Sequence, residues 1–225
     1  MSAEPTPVRT VDNAAEAVLA AAKDMLHKGL TEGTAGNISA RQADGNVVIT
    51  PSSVNYDTMT LEDLVVIDME GETISGKEGR HASSEKKLHL ACYKAFPDVG
   101  SVIHSHPVYA TMFAVAHEEI PACIDEFAVY VGGSVRVTEY AASGTDEVGD
   151  NAVVALEGRG AALIANHGMV AVGPRPDTTL HITALVERNA QIIYGARHLG
   201  TLHELPEKVS RNFANVYGYL RQNPM

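Results

Sequence analysis

The chain has few cysteines, no long apolar run and fewer basic than acidic residues, and each shortage excludes a class of protein. Its two cysteines, Cys92 and Cys123, predict neither a disulfide framework nor a cysteine-rich metal motif. No signal-peptide core and no apolar run of about 18 residues is present, which predicts a cytoplasmic protein with no membrane partner. With 17 basic against 28 acidic residues the formal net charge is −11, which argues against nucleic acid as a partner.

Internal repeats, low-complexity tracts and linker-like segments are also absent, so the sequence predicts one domain. Residues 1–9 are expected to form a flexible N-terminus and residues 10–225 the domain. The Asp44-Gly45 pair predicts a hairpin between strands at 38–41 and 46–50. Longer strand-to-helix connections follow in the second half. These patterns predict an α/β fold in which a mixed sheet carries helices on both faces.

Apolar residues at helical spacing predict the helices, and short β-rich runs predict the remaining strands. The predicted helices cover residues 11–28, 84–96, 108–116, 146–156, 178–198 and 206–221. The remaining predicted strands cover residues 64–68, 102–106, 135–138 and 161–165.

Three of the ten histidines stand in patterns that indicate metal binding. His104 and His106 are two residues apart in a β-like run, and alternate residues of a strand face the same side. His167 follows an apolar strand at a polar turn before a glycine. The others, such as His89, are expected to be ordinary core or surface residues. Three imidazoles with a displaceable fourth ligand are typical of catalytic zinc, with cobalt and manganese as alternatives.

Glu85 stands at the start of a predicted helix, just upstream of the first histidine pair. A carboxylate beside a divalent metal can bind the ion and, once substrate displaces it, act as a general base. The substrate suited to such a site carries adjacent carbonyl and hydroxyl oxygens that chelate the metal. The metal would polarise the carbonyl and stabilise an enediolate while Glu85 moves a proton. This is the chemistry of a metal-dependent aldolase.

A phosphate site is predicted from three short segments rich in small polar residues. The candidate ligands are Gly36, Asn37, Ser52, Ser53, Ser83 and Ser84. The last two provide hydroxyl and free N–H groups at a helix N-terminus, where anions bind well, or serve only as helix caps. The glycine lets the backbone approach a bound anion closely. The middle pair adds two hydroxyls, or forms an ordinary serine-rich turn.

These segments, in this order, resemble the motifs of the class II aldolase and adducin family over nearly the whole chain. The matching motifs are Thr34-Ala35-Gly36-Asn37-Ile38-Ser39, Ile49-Thr50-Pro51, Ser83-Ser84-Glu85, His104-Ser105-His106, Gly132-Gly133 and Asn166-His167-Gly168. The resemblance implies a single three-layer α/β domain with a central, largely antiparallel sheet. It also implies a homotetramer whose active sites lie at subunit interfaces.

The resemblance implies a ligand set and a reaction as well. Zinc would be held by His104, His106 and His167, with Glu85 as the fourth ligand and the catalytic acid/base. The six candidate phosphate ligands would bind a small phosphorylated sugar. The implied reaction is reversible cleavage of a ketose 1-phosphate, such as L-fuculose 1-phosphate, into dihydroxyacetone phosphate and a small aldehyde.

The chain departs from the fuculose-phosphate pattern at two places. Ser52-Ser53 stands where Thr-Gly is usual in the phosphate loop. Glu126 stands where a tyrosine acts as the proton donor near the aldehyde, so the aldehyde or its protonation differs. Tyr217 is a candidate for a C-terminal tyrosine that the family can lend to a neighbouring site, with packing as its alternative role.

Several other functions remain open on the same scaffold. They include a deoxyribulose-phosphate aldolase, a methylthioribulose-1-phosphate dehydratase, a sugar-phosphate epimerase and a decarboxylase of a phosphorylated sugar acid. Related epimerases usually carry aspartate where Glu85 stands, so the glutamate favours an aldolase. A non-catalytic adducin-like scaffold would have no reason to keep the three histidines and Glu85. A metal-binding sugar-phosphate sensor would keep the histidines but would need no base.

Overall fold

The computed structural model describes residues 6–223, which form eight strands, seven α-helices and a short 3-10 helix. The strands are β1 (Asn37–Arg41), β2 (Val47–Ile49), β3 (Val65–Ile67), β4 (Thr73–Ser75), β5 (Ser101–Ser105), β6 (Arg136–Val137), β7 (Ala161–Ile164) and β8 (Gly168–Gly173). The helices are α1 (Ala14–His27), α2 (Lys86–Ala95), α3 (Val108–Ala116), α4 (Asp125–Val131), α5 (Asp146–Leu156), α6 (Pro176–Leu199) and α7 (Glu207–Gln222), and the 3-10 turn is Leu61–Asp63.

All these strands belong to one sheet with the order β4-β3-β2-β1-β5-β8-β7-β6. Neighbouring strands run antiparallel except β6 and β7, which run parallel. The predicted mixed, largely antiparallel sheet is therefore confirmed. The predicted hairpin joins β1 to β2, and the Asp44 carboxylate accepts the backbone N–H of Asn46 at 3.0 Å within its turn. Gly45 adopts a φ of 88° there, which suits glycine.

Helices cover both faces of the sheet, so the domain has the three layers that were expected. On one face Val102 and Val170 pack with Leu88 of α2 and with α5. On the other face Ile103 packs against α1, and Met169 packs with α3, α4 and α6. Successive residues of β5 and β8 thus enter opposite cores, because side chains alternate along a strand. Each such buried aliphatic side chain contributes about 1.5–3 kcal/mol.

The predicted helices are confirmed, with α3 and α5 at the predicted bounds and the others within three residues at each end. The sequence missed β4, β8 and the short helix α4. Strand β8 has glycine at both ends and only four apolar residues between them, a weak strand signal. Helix α4 has only seven residues, fewer than periodicity resolves.

Three composition-based expectations can be compared with the structure. Within residues 6–223, no helix is long and apolar enough to cross a membrane. Cys92 and Cys123 are both free thiols, and burial raises the pKa of Cys92 to about 12, so Cys92 is an inert core residue. Of the predicted flexible N-terminus, residues 1–5 lie outside the described residues. Farther along, the backbone N–H of Arg9 donates to the carbonyl of Pro97 at 2.8 Å.

Candidate metal centre

The three predicted histidine ligands lie together at one end of the central strands. Their candidate ligand atoms all lie within 4.8 Å of one another, although their positions in the sequence span 63 residues. The Nε2 atoms of His104 and His106 are 2.9 Å apart. The ring of His167 lies 4.7 Å from that of His104 and 4.9 Å from that of His106, measured between centroids. The predicted convergence of the three side chains is therefore present.

The hairpin between β7 and β8 positions His167. Its register pairs Ile164 with Gly168, which leaves a three-residue turn. Asn166 takes the left-handed conformation that such a turn requires, with φ at 55°, and asparagine tolerates it better than most residues. His117 Nε2 lies 2.7 Å from the side-chain oxygen of Asn166 and fixes this residue from outside. The turn therefore points His167 back towards β5.

Two glycines allow the backbone to approach the histidines. A Cβ atom on Gly168 would lie 2.6 Å from the His106 ring and 2.5 Å from the Ser105 carbonyl. A Cβ atom on Gly36 would lie 2.7 Å from the His104 carbonyl, and Gly36 also has a φ of 72°. All three distances are shorter than a carbon atom permits, so glycine is required at both positions for close packing around His104 and His106.

The tautomer of His104 is set by a backbone carbonyl. His104 is completely buried, and its Nδ1–H donates to the carbonyl of Met169 at 2.9 Å. In the neutral ring, Nε2 then carries a lone pair that points at His106 and Glu85. Such a backbone partner commonly orients a metal-binding histidine.

Glu85, the residue immediately before α2, completes the cluster. It occupies the helix N-cap but makes no capping hydrogen bond with its side chain, so the expected serine caps are replaced by a glutamate that faces the histidines. Its Oε2 lies 3.1 Å from His104 Nε2, and its Oε1 lies 3.5 Å from His167 Nε2. Asn37 Nδ2 donates to Oε2 at 2.9 Å, and Ser143 Oγ donates to Oε1 at 2.8 Å.

Electrostatics favour an ionised Glu85 beside neutral rings of His106 and His167. Burial acts to raise the pKa of Glu85, whereas the hydrogen bonds that Ser143 and Asn37 donate to the carboxylate act to lower it. Burial lowers the pKa of His106 to about 4, and burial also lowers the pKa of His167. Metal ions bind neutral imidazole and ionised carboxylate, so the protonation states match those of a metal site.

The cluster also fits a divalent ion geometrically. His104 Nε2 lies 2.9 Å from His106 Nε2 and 3.1 Å from Glu85 Oε2; with both rings in the tautomer that binds metal through Nε2, three acceptors converge and a cation would relieve their repulsion. Tetrahedral zinc with bonds near 2.0–2.1 Å sets its ligand atoms about 3.3 Å apart. The observed separations of 2.9, 3.1 and 3.5 Å bracket that value. The residues present therefore suit a metal with three histidines and one carboxylate.

The predicted phosphate ligands occupy loops that surround Glu85. An isolated bridge between Pro51 and Ala82 brings the segment with Ser52 and Ser53 beside the segment with Ser83 and Ser84. Gly36 and Asn37 enter from β1, which pairs with β5. Three of the four serines are exposed; Ser83 is buried, and its hydroxyl accepts the backbone N–H of Glu85 at 3.3 Å. The three predicted segments are thus neighbours in space.

The structure does not bring Glu126 or Tyr217 to this cluster within one chain. Glu126 lies in the first turn of α4, with its carboxylate 3.9 Å from Arg188 of α6. Tyr217 is buried on α7, where it packs against Gly132 and accepts a hydrogen bond from Arg221 at 3.2 Å. Its surroundings include Gly173 at the C-terminal end of β8, whereas the histidine cluster lies at the Gly168 end. An aldehyde-side role for either residue therefore needs a second copy of the chain.

Sequence reasoning missed Ser143, which donates directly to Glu85. It lies in the loop before α5, 58 residues away in sequence, and a serine beside a glycine indicates only a turn. The contact arises because α5 packs on α2 and places its leading loop over the Glu85 carboxylate. No local pattern could have identified it.

Known proteins share both the sequence pattern and the fold. The family described as Class II Aldolase and Adducin N-terminal domain matches residues 16–194. The 5-deoxy-D-ribulose 1-phosphate aldolase of Bacillus thuringiensis serovar kurstaki is 34% identical over 209 residues, covering 92% of this chain and 97% of that enzyme. The L-fuculose phosphate aldolase of Escherichia coli K12 is 36% identical over 169 residues, covering 75% and 77% respectively. A solved L-fuculose 1-phosphate aldolase superposes with a TM-score of 0.86 at 33% identity, covering 93% and 98%.

The chain belongs to the class II aldolase and adducin family. The family, the fold and the enzyme class expected from the sequence, a lyase of the aldolase type, are confirmed. The family is metal-dependent, and this chain offers a three-histidine cluster for the ion. The two curated relatives act, by name, on different sugar phosphates, so the substrate needs a separate argument.

Proposed function

We propose that the protein is a zinc-dependent aldolase that reversibly cleaves a ketose 1-phosphate into dihydroxyacetone phosphate and a small aldehyde. The observation that carries this proposal is an ionised carboxylate, Glu85, that faces three histidines while Asn37 and Ser143 hold it from behind. A scaffold or sensor gives no reason for a base oriented so closely beside an open metal site.

In this proposal His104, His106 and His167 hold the ion, and Glu85 is the fourth ligand until substrate displaces it. The bound metal supplies a positive charge that polarises the substrate carbonyl and stabilises the negative charge that develops on its oxygen. Three nitrogen ligands and one oxygen favour zinc, while cobalt and manganese are compatible with the same set.

Glu85 carries the proton transfer at carbon. In the condensation direction its carboxylate takes a proton from the carbon next to the carbonyl of dihydroxyacetone phosphate. That carbon bonds to the aldehyde carbon, and the aldehyde oxygen gains a proton and becomes a hydroxyl. In the cleavage direction the same bond breaks, the hydroxyl gives up its proton, and protonated Glu85 returns a proton to the carbon. We assign the aldehyde-side proton to Glu126 or Tyr217 of a neighbouring subunit.

The serine loops provide the phosphate subsite. Exposed hydroxyls of Ser52, Ser53 and Ser84 lie around the start of α2, where backbone N–H groups and the helix dipole favour an anion. Gly36 and Asn37 close this subsite from β1. The Asn37 amide also donates to Glu85, so the same residue connects the phosphate loops to the base.

Two substrates lead the candidates. L-Fuculose 1-phosphate would yield L-lactaldehyde, and the solved L-fuculose 1-phosphate aldolase supports it by its overall fold. A 5-deoxypentulose 1-phosphate would yield acetaldehyde. The second candidate is supported by the Bacillus enzyme, whose similarity covers 92% of this chain, against 75% for the fuculose-phosphate enzyme of Escherichia coli.

We further propose that the working enzyme is a homotetramer with its sites at subunit interfaces. The support is that Glu126 and Tyr217 lie away from Glu85 within one chain. Light scattering on the eluting protein would give about four times the 23.9 kDa chain mass. A monomer with full turnover would contradict this assembly and the aldehyde-side roles together.

The test of the function is release of dihydroxyacetone phosphate, measured with a coupled dehydrogenase. The zinc-loaded protein would receive L-fuculose 1-phosphate, 5-deoxyribulose 1-phosphate and other ketose 1-phosphates in parallel. We expect release that chelator abolishes and added zinc restores, with the best substrate naming the aldehyde. No release from any of them by zinc-loaded protein would overturn the proposal in favour of a dehydratase, an epimerase or a sensor.

A further inference from the structure

Glu85 is the end of a hydrogen-bond chain that runs into the core between β1 and α2. Asn37 Nδ2 contacts Glu85 at 2.9 Å, and the Asn37 side-chain oxygen contacts His89 Nε2 at 2.5 Å. His89 Nδ1 contacts Ser39 Oγ at 2.7 Å, and that hydroxyl contacts Tyr93 OH at 2.8 Å. Of the residues in this hydrogen-bond chain, His89 and Ser39 are fully buried, and Tyr93 and Asn37 are at most 3% exposed.

The chemistry of the groups gives this chain one direction. The ionised carboxylate of Glu85 only accepts, so Asn37 must present its NH₂ group to Glu85 and its oxygen to His89. The oxygen of Asn37 only accepts, so His89 must carry its proton on Nε2. The Nδ1 atom of neutral His89 then accepts from Ser39, whose oxygen accepts from Tyr93. Every donor therefore points towards Glu85.

We propose that His89 is a positioning residue for the reaction at Glu85, because its Nε2–H holds the Asn37 amide in the orientation that donates to the carboxylate. The inference rests on the proposed function, since it assigns the residue that prepares its base. His89 touches neither the histidine cluster nor any predicted phosphate ligand other than Asn37.

The alternative orientation of Asn37 shows why an orienting partner is needed. Rotating the amide by half a turn would place its oxygen against the carboxylate, where two acceptors repel each other. Asn37 is buried, so water cannot correct that error cheaply. His89 Nε2–H adds to this preference, because it gives the buried Asn37 oxygen a donor only in the orientation that turns the NH₂ group towards Glu85. Burial lowers the pKa of His89 to about 3, so the ring remains the neutral donor and acceptor that the chain needs.

Four variants separate this role from simple core packing. His89→Leu removes the donor and keeps a side chain of similar bulk, whereas His89→Gln keeps an amide N–H that can reach Asn37. Ser39→Ala removes the partner behind the ring. Ser101→Ala is the matched control, because Ser101 is another fully buried serine of the sheet. Its hydroxyl donates to the backbone carbonyl of Ser39 at 3.0 Å, so its loss leaves the side-chain contacts among Tyr93, Ser39, His89 and Asn37 in place.

We expect kcat to fall most in the variant that leaves the Asn37 amide without its orienting donor. His89→Leu should lower kcat by about 10- to 100-fold, the range for loss of a partner behind a ligand. Bound zinc should stay near wild type, and KM should rise by a smaller factor, because Asn37 also belongs to the proposed phosphate subsite. Ser39→Ala should lower kcat less, while His89→Gln should recover most of the rate. Ser101→Ala should retain wild-type kcat, although it should lose about as much thermal stability as Ser39→Ala. Equal kcat in wild type and folded His89→Leu would overturn the inference, and so would equal losses in His89→Leu and His89→Gln.

A measurement independent of turnover checks the geometry. In protein labelled with ¹⁵N-histidine, long-range ¹H–¹⁵N spectra of the zinc-loaded enzyme report which ring nitrogen carries the proton. We expect His89, assigned by its absence in His89→Gln, to be neutral with the proton on Nε2. A proton on Nδ1 would overturn the inference even if the aldolase is active. Wild-type protein with the expected tautomer but no cleavage of any ketose 1-phosphate would refute the proposed reaction instead.

Discussion

The two ends of strands β5 and β8 hold polar clusters of opposite kinds. At one end, His104 Nε2 lies 2.9 Å from His106 Nε2 and 3.1 Å from Glu85 Oε2, so three groups that can act as metal ligands converge. At the other end, the Arg221 guanidinium donates to both oxygens of the Asp98 carboxylate and to the Tyr217 hydroxyl.

The difference lies in whether the polar groups satisfy one another. Arg221 and Asp98 have opposite charges, and both side chains are only about one-sixth exposed, so the pair is complete without a ligand. Arg221 also stacks over the ring of Phe96, 5.0 Å from its centroid. The histidine end gathers metal-binding groups that have no opposite charge to pair with, which is why we propose it as the metal site. The Arg221–Asp98 end instead connects α7 to the sheet beside a cavity of about 310 Å³.

The largest expected effect is loss of the metal from the acceptor-rich end. His104→Ala or His167→Ala removes one of three nitrogen ligands, so purified protein should retain little zinc and should not turn over. Metal analysis after dialysis, with circular dichroism as the control for folding, measures this. Full zinc stoichiometry in either folded variant would mean that the ligand assignment is wrong and that the comparison between the two ends fails.

The next effect separates the ligand role of Glu85 from its role as a base. Glu85→Gln keeps the shape and one oxygen but cannot take a proton at neutral pH. We expect weaker but measurable zinc binding and a fall in kcat of about 100-fold or more, as for loss of a general base. The assay should use saturating zinc, so that occupancy does not limit the rate. Turnover near wild type under those conditions would sink the proton-transfer role.

A smaller effect is expected at the Arg221–Asp98 end, where the polar groups pair with one another. Asp98→Ala leaves the Arg221 charge buried without its partner, which should cost about 3 kcal/mol in the free energy of unfolding, while bound zinc remains at wild-type level. Asp177→Ala is the matched control, because Asp177 pairs with Arg175 at an exposed site and should contribute about 0–1 kcal/mol. Urea denaturation measures both. Zinc loss in folded Asp98→Ala would show that the two ends are coupled.

The same contrast explains what the sequence could predict. The His104 and His106 pair follows strand alternation, and the His167 turn has its asparagine and glycine beside it, so local patterns were sufficient to predict that these three histidines lie together. The hairpin at Asp44-Gly45 was predictable for the same reason. Ser143 and His89 acquire their meaning only when α5 and β1 pack around α2, because their partners are 58 and 52 residues away. Neither distance leaves a periodic or local signal.

Arg221 and Asp98 show the same limit at the opposite end. They are 123 residues apart, and their pairing depends on α7 returning to the start of β5. The resemblance to a family suggested the candidate ligands and Tyr217 as a candidate C-terminal tyrosine. It could not show that Tyr217, within one chain, faces the opposite end of the strands from Glu85. That placement depends on how α7 packs against Gly132, a tertiary contact.

The smallest expected effect concerns Asp63, another carboxylate whose hydrogen-bond donors all come from the protein. It tests whether such a carboxylate, like Asp98, stabilises the fold through its charge. Asp63 is 8% exposed in its side chain and accepts from the Thr60 backbone and hydroxyl, each at 2.9 Å, and from Arg80 at 2.8 Å. The Thr60 backbone N–H first, and Arg80 next, lower the pKa of Asp63 to about 2 from the ordinary 3.8. Because the folded pKa is the lower one, its stabilisation is complete above the ordinary value and is lost as pH falls through about 2.

Asp63→Asn should therefore destabilise the metal-free protein by about 2 kcal/mol at pH 6, and by clearly less at pH 2.5. Urea unfolding of wild type and variant in chelator, at both pH values, isolates Asp63 because the other groups titrate in both proteins. The chelator removes any contribution of bound metal to the free energy of unfolding, so the difference between the two proteins reports only on Asp63. A difference that stays constant between the two pH values would mean that Asp63 contributes through shape rather than through its charge.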